Sequence, residues 1–309
     1  MNYIMKRQLI TRLEDLVAEA RRRGVKTIAV ACAADAHTLE SVAAAAGAGI
    51  VEPVLYGDSK AIDSIASENG IDISSWTVVN VREAKQAVAE AVRAVSEGRA
   101  DILMKGLVPT DVYMRGILNK DYGLLPPKGT LSHVAVIELP GRGKLLTVAD
   151  VAVIPAPDFR QKCTIIGYLA NTARNLGVER PKIGCIAPSE QVLPSVQSST
   201  EAAILAKMGD RGQLGDVIVD GPLSLDVALW KEAAEIKKVK GSDVAGDADC
   251  LLFPNIESAN VFFKSATHLA GADIAAMVTG TTAPCVLTSR GDTPRTKLFS
   301  IALASLSVK

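Results

Sequence analysis

The chain has 309 residues, with 34 Lys+Arg against 34 Asp+Glu, a formal net charge of zero, and 48% apolar residues. That length suits two domains, each with enough chain for a core; balanced charge excludes a general attraction to nucleic acid or anionic membrane, and 4% aromatics leave few stacking platforms for single strands. No apolar run approaches the ~18–20 residues of a membrane span, and charges scattered through 1–23 break any export-signal core.

In chain order, helical period over 7–23 leads into a β-branched run at 27–32. Helices then fall at 37–46, 60–69 and 82–97, alternating with strands at 51–56, 77–81 and 101–105. The helix at 82–97 carries its apolar stripe on Ala84, Ala87, Val88, Ala91, Val92 and Val95. Strands at 132–139 and 145–148 flank the turn Pro140-Gly141-Arg142-Gly143. Beyond it come helices at 162–175, 199–208, 225–234 and 258–270, strands at 182–186, 217–220, 250–253, 275–279 and 285–287, and a last helix from Thr293. Such alternation marks βα units around a mostly parallel sheet, hence an α/β fold. Eleven strands exceed one ordinary sheet, so two α/β domains are expected, 1–138 plus 276–309 and 139–275, with the cleft between them as the default ligand site. The five cysteines, Cys32, Cys163, Cys185, Cys250 and Cys285, are odd in number and far apart, which argues for a reducing compartment, the cytoplasm.

Several motifs fail. Gly47-Ala48-Gly49 lacks the third glycine of a dinucleotide fingerprint, and Gly141-Arg142-Gly143-Lys144 lacks the upstream glycine and the Ser/Thr of a P-loop; both read as turns. No Gly-x-Ser-x-Gly elbow occurs, and His37, His133 and His268 are the only histidines, against a Ser-His-Asp hydrolase. No His or Cys pair has zinc-ligand spacing, while magnesium on scattered carboxylates stays open.

Four polar segments at strand ends survive, because ligands in open α/β sheets bind outside the carboxyl ends of strands. Lys105-Gly106 closes a strand with a cation and a residue that lets backbone approach a ligand, with a helix cap at Thr110 or Asp111 following; the plain alternative is a solvated strand end. Ser132-His133 opens a strand with hydroxyl beside imidazole, or with two capping hydrogen bonds. Glu257, Asn260 and Lys264 share a face at the start of a helix, where free N–H donors suit an anion; a solvated Glu/Lys face is the alternative. In Thr288-Ser289-Arg290-Gly291-Asp292, the Arg290 fork matches phosphate, with Ser289 and Gly291 as further donors, just before a helix start.

These segments resemble the phosphate butyryltransferase branch of the phosphate acetyl/butyryl transferase family. The resemblance runs from about residue 101 to the C-terminus. It is carried, in family order, by Met104-Lys105-Gly106-Leu107-Val108, Leu131-Ser132-His133-Val134-Ala135-Val136, Lys207-Met208-Gly209-Asp210-Arg211-Gly212-Gln213, Val219-Asp220-Gly221-Pro222-Leu223-Ser224-Leu225-Asp226, the stretch 244–249, and Leu287-Thr288-Ser289-Arg290. It implies a two-domain α/β subunit related in fold to the decarboxylating isocitrate and isopropylmalate dehydrogenases, an active site between domains, and a homo-oligomer. The implied reaction is acyl-CoA + phosphate to acyl phosphate + CoA, butyryl first, with no metal or redox cofactor and no nucleic-acid or membrane partner. By the same resemblance Arg290 holds the phosphate, Ser289 donates to the reacting group, and Lys105, Gly106, Ser132, Glu257, Asn260 and Lys264 contact substrate.

The chain also departs from the acetyl branch. Thr296 stands where that branch has an Asp regarded as the base for the CoA thiol, and Asn255, Ala259 and Phe263 replace residues usual in the helix segment. The expected base is therefore Asp292 or His133, or else the charges of Arg290 and Lys264 lower the thiol pKa directly. Phosphate acetyl- or propionyltransferase is the alternative within the class, and a metal- and NAD(P)-dependent dehydrogenase is the alternative from the related fold. A CoA-sensing module is a third reading, against which the retention of Ser289, Arg290 and Lys264 argues.

Overall fold

The computed structural model describes residues 8–288 and 291–308. In chain order its elements are α1 (Leu13–Arg22), β1 (Lys26–Ala31), α2 (Ala36–Gly47), β2 (Val51–Gly57), α3 (Ser59–Glu68), β3 (Thr77–Asn80), α4 (Ala84–Ser96), β4 (Ile102–Lys105), α5 (Thr110–Ile117), β5 (Ser132–Glu138) and β6 (Leu146–Ala149). Then follow α6 (Phe159–Asn175), β7 (Lys182–Ile186), α7 (Gln197–Asp210), β8 (Ile218–Leu223), α8 (Leu225–Leu229), α9 (Lys231–Ile236), β9 (Cys250–Leu252), α10 (Ile256–His268), β10 (Asp273–Thr279), β11 (Cys285–Val286) and α11 (Pro294–Ser307). The chain divides into two compact units, residues 13–131 with 274–308 and residues 8–12 with 132–273.

In the first unit the strands run β3-β2-β1-β4-β11-β10. All neighbours up to β11 are parallel, with Ile28 beside Ile102 and Cys285 beside Leu103, and only β10 is antiparallel to its neighbour. The buried strands β1 (Ile28 to Ala31) and β4 read as continuous apolar runs, as parallel strands covered by helices do. Helix starts follow the acceptors in the sequence: Asp35 caps α2, Asp58 caps α3, Glu83 caps α4 and Thr293 caps α11, where Pro294 takes the first turn.

The second unit orders its strands β5-β6-β9-β7-β8, with β5 antiparallel to β6 and the rest parallel. Its core joins Val134, Ile165, Leu169, Ile183, Leu205 and Leu252 beneath α6 and α7. Where the sequence put the first crossing at 138/139, the structure puts it at 131/132, because β5 forms a hairpin with β6 through Ala135 opposite Val148. Residues 8–12 also go with this unit, Ile10 N donating to Leu176 O at 2.8 Å. The single helix expected at 225–234 is broken at Trp230, which is extended (φ −124°, ψ 126°) and ends α8 while starting α9.

Candidate active site

Parallel pairing brings the carboxyl ends of β1, β4 and β11 to one edge of the first unit, the edge at which open α/β sheets bind ligands. Lys105 ends β4 and is only 4% exposed, so it is not the solvated strand end that the sequence also allowed; its ammonium donates to Gly106 O at 3.2 Å. Gly106 is explained within the chain: a Cβ there would lie 2.3 Å from Cys32 O, and the Gly106 and Leu107 amides bond the carbonyls of Ala31 and Cys32. The backbone that approaches Gly106 is thus that of the strand next door. Cys32 sits at this junction with φ 57°, its thiol pushed up to about 11 by burial and by Glu83, against the opposing pull of Lys105.

Four residues beyond the end of β1, Asp35 Oδ2 accepts from Thr38 N at 2.9 Å and from Thr38 Oγ1 at 2.6 Å, capping α2. The same oxygen lies 3.5 Å from Nζ of Lys297, a lysine buried on the first turn of α11. Burial raises the Asp35 carboxyl, but Thr38 and Lys297 outweigh it and leave the group below its ordinary value. Ser289 and Arg290, which precede α11, lie outside the described residues. Asp292 is half-buried, and the capping role open to it falls instead to Thr293, whose Oγ1 accepts from Thr296 N at 3.1 Å. The cap expected at Thr110 or Asp111 is Pro109, with no side-chain hydrogen bond.

In the second unit, antiparallel pairing puts the start of β5 beside the carboxyl end of β6, so Ser132 and His133 face the loop after Ala149. Both are buried, His133 to 5% exposure. Asp150, 2% exposed, gathers four backbone donors: His133 N at 3.3 Å, Ala152 N at 2.9 Å, Val153 N at 2.8 Å and Ile154 N at 3.2 Å. Val151 N in turn donates to His133 O at 3.2 Å, and Asn260 Nδ2 to Val151 O at 3.0 Å. His133, Asp150 and Asn260 are therefore one hydrogen-bonded neighbourhood beside Ser132, with α10 secured to it. Lys264, half-buried one turn beyond Asn260, holds Nζ 5.5 Å from the Phe263 ring centroid, and Glu257 is exposed on the first turn.

Three buried or half-buried charged positions at these strand ends escaped the sequence reading. Asp150 carries no motif, because its four partners are main-chain groups. Asp35 had a visible signal, an Asp three residues before Thr38 at a helix start. Lys297 had one too, since α11 carries no polar face from Leu298 to Leu306, although Arg295 on the same first turn is half-exposed. Among the described residues no group of His, Cys, Asp and Glu is placed to hold a metal ion, and no helix is long and apolar enough to cross a membrane.

The phosphate acetyl/butaryl transferase family model matches residues 12–92 and 81–305, and the chain belongs to that family. A phosphate butyryltransferase of Clostridium acetobutylicum is 42% identical over 298 residues, covering 96% of this chain and 98% of that protein. A phosphate acetyltransferase of Thermotoga maritima is 39% identical over 296 residues, covering 95% and 99%. The crystal structure of a branched-chain phosphotransacylase from Enterococcus faecalis V583 superposes with a TM-score of 0.81 at 30% identity, covering 92% of this chain and all of that one. The resemblance read from six motifs thus extends over nearly the whole chain, including the first hundred residues, where the sequence alone offered no motif.

Proposed function

We propose that the protein transfers a short acyl group reversibly between coenzyme A and inorganic phosphate, with butyryl preferred. The observation that carries this reading is the 42% identity with a phosphate butyryltransferase across 96% of the chain. In the forward direction a phosphate oxygen attacks the thioester carbonyl, the C–S bond of the tetrahedral centre breaks, and CoA leaves as the thiol with a proton. Oxidation states do not change, so the chemistry calls for no electron carrier. What the protein must supply is two substrates held in contact and positive charge aimed at the developing oxyanion.

Arg290 is assigned to the phosphate and Ser289 to the reacting group. Buried Lys105 adds a fixed cation, and Lys264 is assigned to the phosphates of CoA. Glu257, Asn260, Ser132 and Gly106 complete the proposed substrate contacts. For proton transfer at sulfur the candidates remain Asp292 and His133. His133 is supported by its fixed main chain, and Asp292 by its place just before α11, whose cap is Thr293. The enzyme is proposed to work as a homo-oligomer in the cytoplasm, in keeping with five free cysteines.

The test is thiol release in phosphate buffer from acetyl-, propionyl- and butyryl-CoA. The highest kcat/KM with the C4 substrate is expected. The 39% identity with a phosphate acetyltransferase supports a second reading, which a C2 optimum would establish. No release from any of the three would overturn both.

A further inference from the structure

Lys297 is 4% exposed, yet among the described residues its ammonium has one polar contact, the 3.5 Å approach to Asp35 Oδ2. That distance is beyond the 2.7–2.9 Å of a charge-assisted hydrogen bond, and the oxygen is already taken by Thr38 N at 2.9 Å and Thr38 Oγ1 at 2.6 Å. A buried ammonium is costly unless its donors are used. The other buried lysine with a carboxylate beside it, Lys162, shows the satisfied case, in direct contact with Glu201. Lys297 differs in place as well. It lies on the first turn of the 14-residue α11, where the helix dipole favours negative charge, and its partner Asp35 follows β1 at the carboxyl edge of the first unit.

We propose that Lys297 is a phosphate ligand: its ammonium completes its hydrogen bonds on an oxygen of inorganic phosphate or of the phosphoryl end of acyl phosphate, while Asp35 holds it in place. This rests on the reading of the enzyme as a phosphate acyltransferase. The carboxylate attracts the ammonium from one side without saturating it, which leaves donors for a second anion. Asp35 is a positioning residue; Lys297 touches the substrate.

The test compares K297M, K297R and D35N with wild type. KM for phosphate, KM for butyryl-CoA, and melting temperature with and without inorganic phosphate are measured for each. In K297M the KM for phosphate is expected to rise about 10- to 100-fold, the range for losing a charged hydrogen bond. KM for butyryl-CoA should stay within twofold, and stabilisation by phosphate should largely vanish. K297R should recover part of the phosphate affinity. D35N, whose amide oxygen can still cap α2 but whose lost charge no longer fixes the ammonium, should raise phosphate KM several-fold, less than K297M does, with KM for butyryl-CoA within twofold. Equal loss of melting temperature in K297M and D35N with unchanged KM for phosphate would make the pair a structural ion pair and overturn the proposal. A rise confined to butyryl-CoA would also overturn it, by assigning Lys297 to the phosphates of CoA. If K297M does not fold, K297R and D35N still decide: a phosphate KM that neither variant changes sinks the idea. Stabilisation by phosphate needs no turnover, so a protein inactive on every acyl-CoA would fail the functional reading without deciding this one.

Discussion

The two ends of the parallel strands treat their charges differently. At the amino ends in the second unit, Lys144 Nζ reaches Asp247 Oδ1 at 2.6 Å and Asp249 Oδ1 at 2.8 Å. Lys182 Nζ meets Asp247 Oδ2 at 2.7 Å, and the Lys182 amide takes Asp249 Oδ2 at 2.9 Å. Every carboxylate oxygen there has a donor at normal distance, and Arg142 adds bonds to the carbonyls of Lys144, Leu145 and Ala248. At the carboxyl ends in the first unit, Lys297 shares one oxygen of one carboxylate with Thr38. A structural network of this kind satisfies its carboxylates within the chain, although the buried Arg142 Nε keeps no partner among the described residues, whereas a binding site holds donors for a ligand. Charge density alone therefore does not separate the two edges; what differs is that the amino-end lysines meet carboxylates at 2.6–2.8 Å while Lys297 stands 3.5 Å from an oxygen already bonded twice.

The sharpest loss should come at the residue assigned to phosphate, altered with its charge kept. Arg290→Lys preserves the cation but removes the planar fork, and kcat/KM for thiol release is expected to fall on the order of 100-fold or more with the melting temperature unchanged. Near-normal kcat/KM would remove Arg290 from the proposed machinery and leave Lys297 to carry the proposed binding of phosphate.

Asp150 sits at a carboxyl end yet spends its carboxylate wholly on the chain, so it tests whether satisfaction or location decides. Asp150→Ala leaves four backbone donors without their acceptor. Unfolding free energy should drop by about 3 kcal/mol in denaturant titrations, with Asp150→Asn intermediate because one carbonyl oxygen remains. A loss of activity in Asp150→Asn without loss of stability would show that this loop serves chemistry beyond holding His133.

The strands and most helices were legible because each carries its own period or cap: β4 is a short apolar run between polar ends, and α6 opens with the Asp158 and Gln161 capping box. Of the site, the strand-end segments were legible, since a lysine or hydroxyl where an apolar run stops is a local event. What escaped were pairings between distant segments. Lys297 and Asp35 stand 262 residues apart and Asn260 and Val151 109, and no spacing rule reaches that far. The grouping of β5 with β6 was missed for a related reason, because a Gly-rich turn reads equally as a hairpin and as a domain crossing until the register is known. Trp230 broke a helix whose apolar period ran straight through it.

A smaller effect is expected at Lys264, half-buried beside Phe263 and assigned to CoA. Lys264→Gln should raise KM for butyryl-CoA several-fold, roughly 3- to 10-fold, with kcat nearly unchanged, the pattern of a contact kept equally in ground and transition states. Phosphate KM should not move, which separates this cation from Lys297. Unchanged KM for both substrates would return Lys264 to the solvated face of α10.

The smallest effect falls on the saturated network, where Asp247→Asn removes one charge from the amino-end cluster. Asp247 is more than half exposed, at 55%, so solvent screening limits the loss to under about 1 kcal/mol, less at high salt. Its pH dependence follows from the folded state. Burial raises the Asp247 carboxyl, but Lys144 and Lys182 outweigh it and hold the group below its ordinary value. A carboxylate depressed in this way contributes stability fully above its unfolded pKa of ~3.9 and loses it as pH falls through the lower folded value. The difference in stability between wild type and Asp247→Asn should thus be flat from about pH 5 to 8 and shrink toward zero near pH 3 and below. Both Michaelis constants should match wild type throughout the flat range, because the acceptor oxygens altered there were bonded to lysines within the chain. A raised KM for phosphate or butyryl-CoA in this variant would mean that the amino ends also reach a ligand, and the distinction between spent and reserved charge would no longer separate the two edges.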